Sequence, residues 1–173
     1  MRINVADLKK TPGAQTEVSL EGTLPSFAEE AVQEVTLLSP VKADLRLKNI
    51  DGVILVEGQI RVELSLSCSR CLEKFSQKLE VAISEAFSET GDFPGNGREE
   101  EDGINFFSGN NIDLTAAIRE NLLAALPMKA TCRQDCRGLC PRCGQNLNLA
   151  ECGCQRQEID PRLAGLAKLL ERK

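Results

Sequence analysis

Eight cysteines constrain this chain more than any other feature. Six of them fall between Cys132 and Cys154, in CRQDCRGLCPRCGQNLNLAECGC, as Cys132-x3-Cys136, Cys140-x2-Cys143 and Cys152-x-Cys154. The other two, Cys68 and Cys71, make a further C-x2-C far upstream. Two cysteines this close in sequence can bite one tetrahedral cation as thiolates, each sulfur about 2.3 Å from the metal. Four close pairs match two four-thiolate sites. The chain has no histidine, so any zinc site is all-cysteine or borrows a carboxylate. The expected cofactor is zinc, as two ions, held by Cys68, Cys71, Cys132, Cys136, Cys140, Cys143, Cys152 and Cys154.

A disulfide framework is the competing use of so many cysteines. Secreted disulfide-rich domains are usually shorter and carry a signal peptide. The stretch MRINVADLKK has no apolar core of that kind and no cleavage site,. No segment approaches the roughly 20 apolar residues that cross a bilayer. The chain therefore reads as cytoplasmic, where thiols stay reduced and clustered pairs bind metal.

Charge is unevenly spread. Residues 127–173 hold nine Lys/Arg and five Asp/Glu, net +4, within a chain of net charge −5. A basic end on an acidic body suits contact with nucleic acid, although arginines beside thiolate sites also balance the negative charge of the sulfurs. Without histidine there is no neutral-pH proton shuttle, which points away from an enzyme and from a small-molecule substrate.

Along the chain, Ile3 and Val5 alternate as a short strand and Thr11-Pro12-Gly13 breaks it,. Glu17 to Leu24 reads as another strand. Ser26 to Gln33 has a cap, Ser26, and a capping-box partner, Glu29,. Three strands are then plainly marked by period-2 alternation, Val41–Lys48, Val53–Ser67 and Phe75–Ala86,. Asp51-Gly52 suits a type I′ hairpin turn, and Gly58 suggests a bulge or bend in a long strand. The next turn is Cys68-Ser69-Arg70-Cys71, which puts the first thiol pair at a hairpin tip. Residues 88–110 read as a loop, with an acidic run Glu99 to Asp102 and with Phe106 and Phe107 pinning its far end. Asp113 looks like the N-cap of a helix whose apolar face is Leu114, Ala117, Ile118, Leu122, Ala125 and Leu126, with Ile112 and Ala117 as a staple and Pro127 as the stop,. Arg119 and Glu120 fall on its wet side. A last helix begins at Asp160-Pro161. The expected architecture is α+β: an antiparallel β-meander packed with two or more helices over residues 1–126, followed by a cysteine-rich zinc module and C-terminal helix over 127–173.

The segments CSRCLEKF (68–75), IDLTAAIRENLLAALPM (112–128), GLCPRCGQNLN (138–148) and DPRLAGLAKL (160–169) resemble the YceD family, whose members are implicated in accumulation of large-subunit ribosomal RNA in bacteria and plastids. The resemblance implies a role in synthesis, processing or stability of that RNA; it does not imply a known catalytic activity. It also implies that one metal site is dispensable to the fold, because some members keep the hairpin pair and lack the GLCP-x-CG stretch.

The leading functional expectation is a non-catalytic, zinc-stapled protein of ribosome biogenesis whose partner is ribosomal RNA or a pre-ribosomal protein. Arg133, Arg137, Arg142 and Arg156 are the candidate RNA contacts, because the planar guanidinium fork fits phosphate. No aromatic stacking platform accompanies them. The alternative is a redox-sensing zinc-thiolate chaperone. A dithiol oxidoreductase at Cys68 and Cys71 is disfavoured by their position between strands rather than at a helix N-terminus. A nuclease built on Glu99–Asp102 lacks a preorganised carboxylate cage. The pairing of the cysteines has two solutions. Cys132, Cys136, Cys140 and Cys143 could share one ion. The alternative groups Cys68, Cys71, Cys132 and Cys136 in one site and Cys140, Cys143, Cys152 and Cys154 in the other. The second is favoured because Gly144 and Asn146-Leu147-Asn148 reverse the chain.

Overall fold

A computed structural model describes residues 1–24, 35–89 and 103–154. The turns expected at Ser26–Gln33, the acidic run at Glu99–Asp102, the last helix and Arg156 lie outside the described residues. The protein is mostly β with two described helices, an α+β arrangement. Alternation decides the centre of the sheet. In β4 (Val41–Ile50) every second residue from Val41 to Asn49 is buried. β5 (Val53–Ser67) buries Ile54, Val56, Ile60, Val62, Leu64 and Leu66 on the same face. β6 (Lys74–Glu89) turns Phe75, Leu79, Val81 and Ile83 the same way, with Gln77 as the polar member of that row. The three are sequential antiparallel neighbours. β4 and β5 are joined by Asp51 and Gly52, both at positive φ (49° and 95°), as a type I′ turn requires.

β2 (Gln15–Gly22) pairs antiparallel with β4 along the sheet edge. β3 (Val35–Leu37) pairs with β5 at Leu64–Leu66, beyond the stretch that β4 covers. Pro40 has no N–H to continue that ladder. Instead the Ser39 hydroxyl accepts the Glu63 N–H at 3.0 Å, and the Leu38 N–H donates to Glu63 O at 2.8 Å, so both backbone groups of Glu63 keep partners across the break.

Gly58 is not a bulge. The register runs without a slip through Leu45↔Gly58↔Ile83. The glycine is there because β4 crosses it closely: a Cβ would lie 2.1 Å from the Asp44 carbonyl oxygen. The solvent face of the sheet carries Arg46–Glu17 (2.8 Å), Lys42–Glu21 (3.8 Å) and the short Arg61–Asp44 pair, exposed pairs worth little individually.

Three expectations near the helices change. The first strand is only Arg2–Asn4 (β1), and Val5 leads into α1 (Ala6–Lys10). Its Val5 and Leu8 are three apart and both buried, so a helical pair stood behind what resembled alternation. Asn4 Oδ1 accepts the Ala6 N–H at 3.0 Å. The stretch 88–110 is not all loop: β6 extends to Glu89, and β7 (Ile104–Phe107) pairs parallel to it. Phe107 is buried there but Phe106 is 46% exposed, so one phenylalanine pins the segment rather than two. β8 (Asn111–Asp113) pairs antiparallel with β1. This keeps Asp113 extended and moves the helix start to Thr115, with Leu114 as N-cap. Asp113 still caps from one position upstream, accepting the Thr115 N–H at 3.0 Å and its hydroxyl at 2.5 Å. The Thr115 hydroxyl and Arg2 hold the Asp113 carboxyl well below the usual carboxylate range.

α2 (Thr115–Ala124) buries Ala117, Ile118 and Leu122 against the sheet. Glu85 of β6 fixes its position by accepting from Asn121 Nδ2 at 2.7 Å and from Asn105 Nδ2 at 3.1 Å. Asn49 closes the other end of the core. It is the buried polar member of the β4 row, and its amide donates to the carbonyls of Leu8 (2.8 Å) and Lys9 (3.2 Å) at the end of α1. Its oxygen accepts the Gly52 N–H at 3.0 Å.

Candidate metal centres

Beyond α2 the chain carries one described buried leucine, Leu147, alongside Ala130. Sulfur chemistry takes over from apolar packing in this part. The β5–β6 turn, Cys68-Ser69-Arg70-Cys71, and the later Cys140-Pro141-Arg142-Cys143 form the same backbone ring. In the first, Leu72 N–H donates to Cys68 O (2.9 Å) and Cys68 N–H to Glu73 O (2.9 Å). In the second, Gly144 N–H donates to Cys140 O (2.9 Å) and Cys140 N–H to Gln145 O (2.8 Å). Each ring ends on a left-handed residue, Leu72 (φ 62°) and Gly144 (φ 74°). Leucine tolerates that region at a cost of about 1–2 kcal/mol.

The sulfurs gather in two groups, Cys68, Cys71, Cys132 and Cys136, and Cys140, Cys143, Cys152 and Cys154, each with all ligand atoms within 4.8 Å of one another. The first group joins a hairpin tip of the sheet to the segment after α2, spanning the expected boundary at residue 126. Cys68 Sγ lies 3.8 Å from Cys136 Sγ, and Cys71 Sγ 3.7 Å from Cys132 Sγ. A tetrahedron with metal–sulfur bonds of about 2.3 Å has edges of about 3.8 Å. The donor set is all thiol, which suits a soft or borderline dication such as zinc. The residues present fit a four-thiolate metal in both places.

Electrostatics within the groups point the same way. Burial raises the Cys68 thiol, but the N–H groups of Cys132, Cys71 and Arg70 outweigh it and bring it down to about 6. Burial also opposes ionisation of Cys136, where the Asn148 amide and the Gly138 N–H prevail and lower it. Cys132 is pushed up to about 12 by burial and by the sulfurs of Cys71, Cys136 and Cys68. In the second group the N–H groups of Cys143 and Arg142 lower Cys140 to about 6, while the adjacent Cys143 sulfur and burial raise Cys154 to about 12. Some sulfurs are held as thiolates by N–H groups and their neighbours are thereby kept protonated. Four like charges this close ionise together only around a cation.

Three residues to which sequence reasoning assigned no role at a metal assemble the first site. Arg70, between the hairpin cysteines, donates from Nη1 to Cys136 O at 3.0 Å, and its own carbonyl accepts the Leu139 N–H at 3.0 Å. Gly138, at φ 74°, makes that approach possible, since a Cβ there would lie 3.0 Å from Arg70 O. Asn148 is the third. Its Nδ2 donates to Cys136 Sγ at 3.3 Å, and its Oδ1 accepts from Arg133 Nη2 and from the Arg137 N–H, both at 2.8 Å. Outer partners of metal ligands typically carry about 10–100-fold in affinity. Asn148→Ala should weaken metal binding at the first site by that factor in competition with a chromophoric chelator, while the second site keeps its affinity. An unchanged first site would exclude this role.

Of the four candidate RNA contacts, Arg133, Arg137 and Arg142 are exposed on this part of the chain. Arg133 lies against Asn148 and, at 3.6 Å, Asp135; Arg137 pairs with Glu151 at 3.1 Å. No described helix is long and apolar enough to cross a membrane.

A family model described as large ribosomal RNA subunit accumulation protein YceD matches residues 56–170, a stretch containing all eight cysteines. The chain is 32% identical over 175 residues to an uncharacterised protein of Mycobacterium tuberculosis, covering 98% of this chain and 81% of the relative. It is 28% identical over 145 residues to the uncharacterised protein YlbN of Bacillus subtilis, covering 80% and 78%. An Arabidopsis thaliana protein named large ribosomal RNA subunit accumulation protein YCED homolog 1, chloroplastic, is 26% identical over 158 residues, covering 77% of this chain and 49% of that protein. No solved structure matches significantly.

Proposed function

The chain belongs to the YceD family of large ribosomal RNA subunit accumulation proteins, and from that premise we propose that it is a non-catalytic zinc protein serving large-subunit ribosomal RNA in the cytosol. It acts in synthesis, processing or accumulation of that RNA, through contact with the RNA or with a pre-ribosomal protein. The observation that carries this reading is the pair of all-cysteine tetrads, the first of which clasps the sheet to the segment after α2. Zinc bound there has no open ligand position and so serves structure rather than chemistry. A rigid module of this kind holds its arginines in place. Asn148 and Glu151 already restrain Arg133 and Arg137, which reduces the freedom those side chains lose on meeting a phosphate.

Depletion of the protein from its own cells should lower large-subunit ribosomal RNA relative to small-subunit RNA, and wild-type protein should restore it. An unchanged ratio would overturn the proposal. For the contact itself, Arg133, Arg137, Arg142 and Arg156 changed together to Ala should weaken association with ribosomal RNA. Each lost phosphate contact should reduce the log–log salt slope by about 0.7–0.9. Identical affinity and slope would assign the contact to a protein partner.

A further inference from the structure

We propose that the two tetrads differ in kind: the first is a permanent clasp, and the second, Cys140, Cys143, Cys152 and Cys154, is a site of reversible thiol oxidation by hydroperoxides that releases its metal. The proposal rests on the metal-binding reading above.

Packing separates the two. In the first tetrad Cys68, Cys71 and Cys136 are buried in a small core shared with Phe75 and Leu139. Backbone and side-chain bonds close over it: Ser69 N–H to Ala130 O at 2.8 Å, Leu139 N–H to Arg70 O at 3.0 Å, and the Arg70 and Asn148 contacts to Cys136. Cys132, the fourth sulfur, is half-buried; a peroxide reaches the other three only if the hairpin tip and the later segment part. In the second tetrad only Cys140 is buried; Cys143 is exposed and Cys152 and Cys154 are half-buried. Its two halves are also unequally held. Cys140 and Cys143 sit in a closed backbone ring, with Leu139 bridged to Asn146. Among the described residues no backbone hydrogen bond ties 151–154 to the rest of the chain. Bound metal would be the main tether of Cys152 and Cys154.

That combination of an accessible sulfur and partner sulfurs without backbone ties is what thiol oxidation selects. The Cys143 thiolate attacks one peroxide oxygen, the O–O bond breaks, and the departing oxygen takes a proton as alcohol, or as water from hydrogen peroxide. Cys143 is left as sulfenic acid. A second thiolate of the same tetrad, within 4.8 Å, attacks that sulfur. The S–S bond forms, and hydroxide leaves and takes a second proton as water. The two thiolates lose two electrons and the peroxide gains them. The dication, left with two thiolates, passes to solvent.

The full-length chain loaded with zinc is titrated with hydrogen peroxide. Released zinc is read with a chromophoric chelator against a peroxide-free control, and thiols are mapped by differential alkylation and mass spectrometry. The expected result is one equivalent of zinc released in an early, separate phase. A disulfide confined to Cys140, Cys143, Cys152 and Cys154 accompanies it, and a dithiol reductant with added zinc reverses both. Release of both equivalents together, release of neither, or a first disulfide among Cys68, Cys71, Cys132 and Cys136 overturns the proposal and leaves the metal-binding reading standing. Fewer than two zinc ions before peroxide is added overturns that reading, and this proposal with it.

Discussion

Stripping the metal with a strong chelator is expected to unfold residues 128–154 while the β4–β5–β6 sheet stays protected. Structural zinc contributes on the order of 10–16 kcal/mol in small modules, as much as the whole stability of a typical domain, about 5–15 kcal/mol. Against that, the described part of this stretch buries only Ala130 and Leu147 among its apolar residues apart from the cysteines. The sheet has a core of its own, in which Leu47, Ile54, Ile60 and Leu64 are fully buried together with Ile112 of β8 and Leu114, Ile118 and Leu122 at α2. Hydrogen exchange would show protection lost across 128–154 and retained in 53–66. Persistence of protection in the chelated segment would mean that its fold does not depend on metal. In protein that has not been chelated, Cys143→Ser combined with Cys154→Ser should lower retained zinc from two ions to one by native mass spectrometry. Both substitutions fall in one tetrad, so loss of both ions would contradict the grouping.

The largest effect on the body of the protein should come from a single methyl group. Gly58→Ala places a carbon 2.1 Å from Asp44 O and 2.9 Å from Leu45 Cα. Both are backbone atoms of the neighbouring strand, so no side chain can swing away. The ladder must open at the centre of the sheet, where β5 is paired on both sides. A loss of about 4 kcal/mol or more is expected, in the range reserved for severe packing conflict. Urea unfolding measures it directly, and a cost below about 1 kcal/mol would rule out the close crossing of β4 over Gly58.

The sheet and the thiols were legible in the sequence for different reasons. β4, β5 and β6 are long enough for alternation to repeat several times, and one half-buried face enforces it. The cysteine pairs were legible because a tetrahedral site needs close pairs whatever the fold around them. What escaped notice was short or non-local. β1, β7 and β8 have three or four residues each, too few for a period to show, and α1 has only five. Asn146 and Asn148 announced a turn, and they make one, through Asn148 N–H to Asn146 Oδ1 at 3.0 Å. Nothing in the sequence revealed that the same Asn148 donates to Cys136 Sγ, or that Arg70 reaches a carbonyl 66 positions away. Those roles exist only once the two segments meet. An isolated glycine in a strand marks either a bulge or a close backbone approach, and nothing in the sequence around Gly58 separates the two.

The two tetrads also differ in how far the chain must travel to complete them, which sets an order of assembly during synthesis. The second draws on cysteines between 140 and 154, whereas the first joins sulfurs 61 and 68 positions apart. Each doubling of a closed loop adds only about 0.6 kcal/mol of entropy, so the difference weighs on timing more than on final stability. As the chain grows from its N-terminal end, the β5–β6 hairpin with Cys68 and Cys71 is complete long before Cys132 leaves the ribosome. Until then its tip holds half a metal site, two thiols without their partners. Any ion captured there early would be exposed to exchange or loss until Cys132 and Cys136 arrive. Among the described residues, closing that clasp is therefore a late and long-range step in the newborn protein's folding.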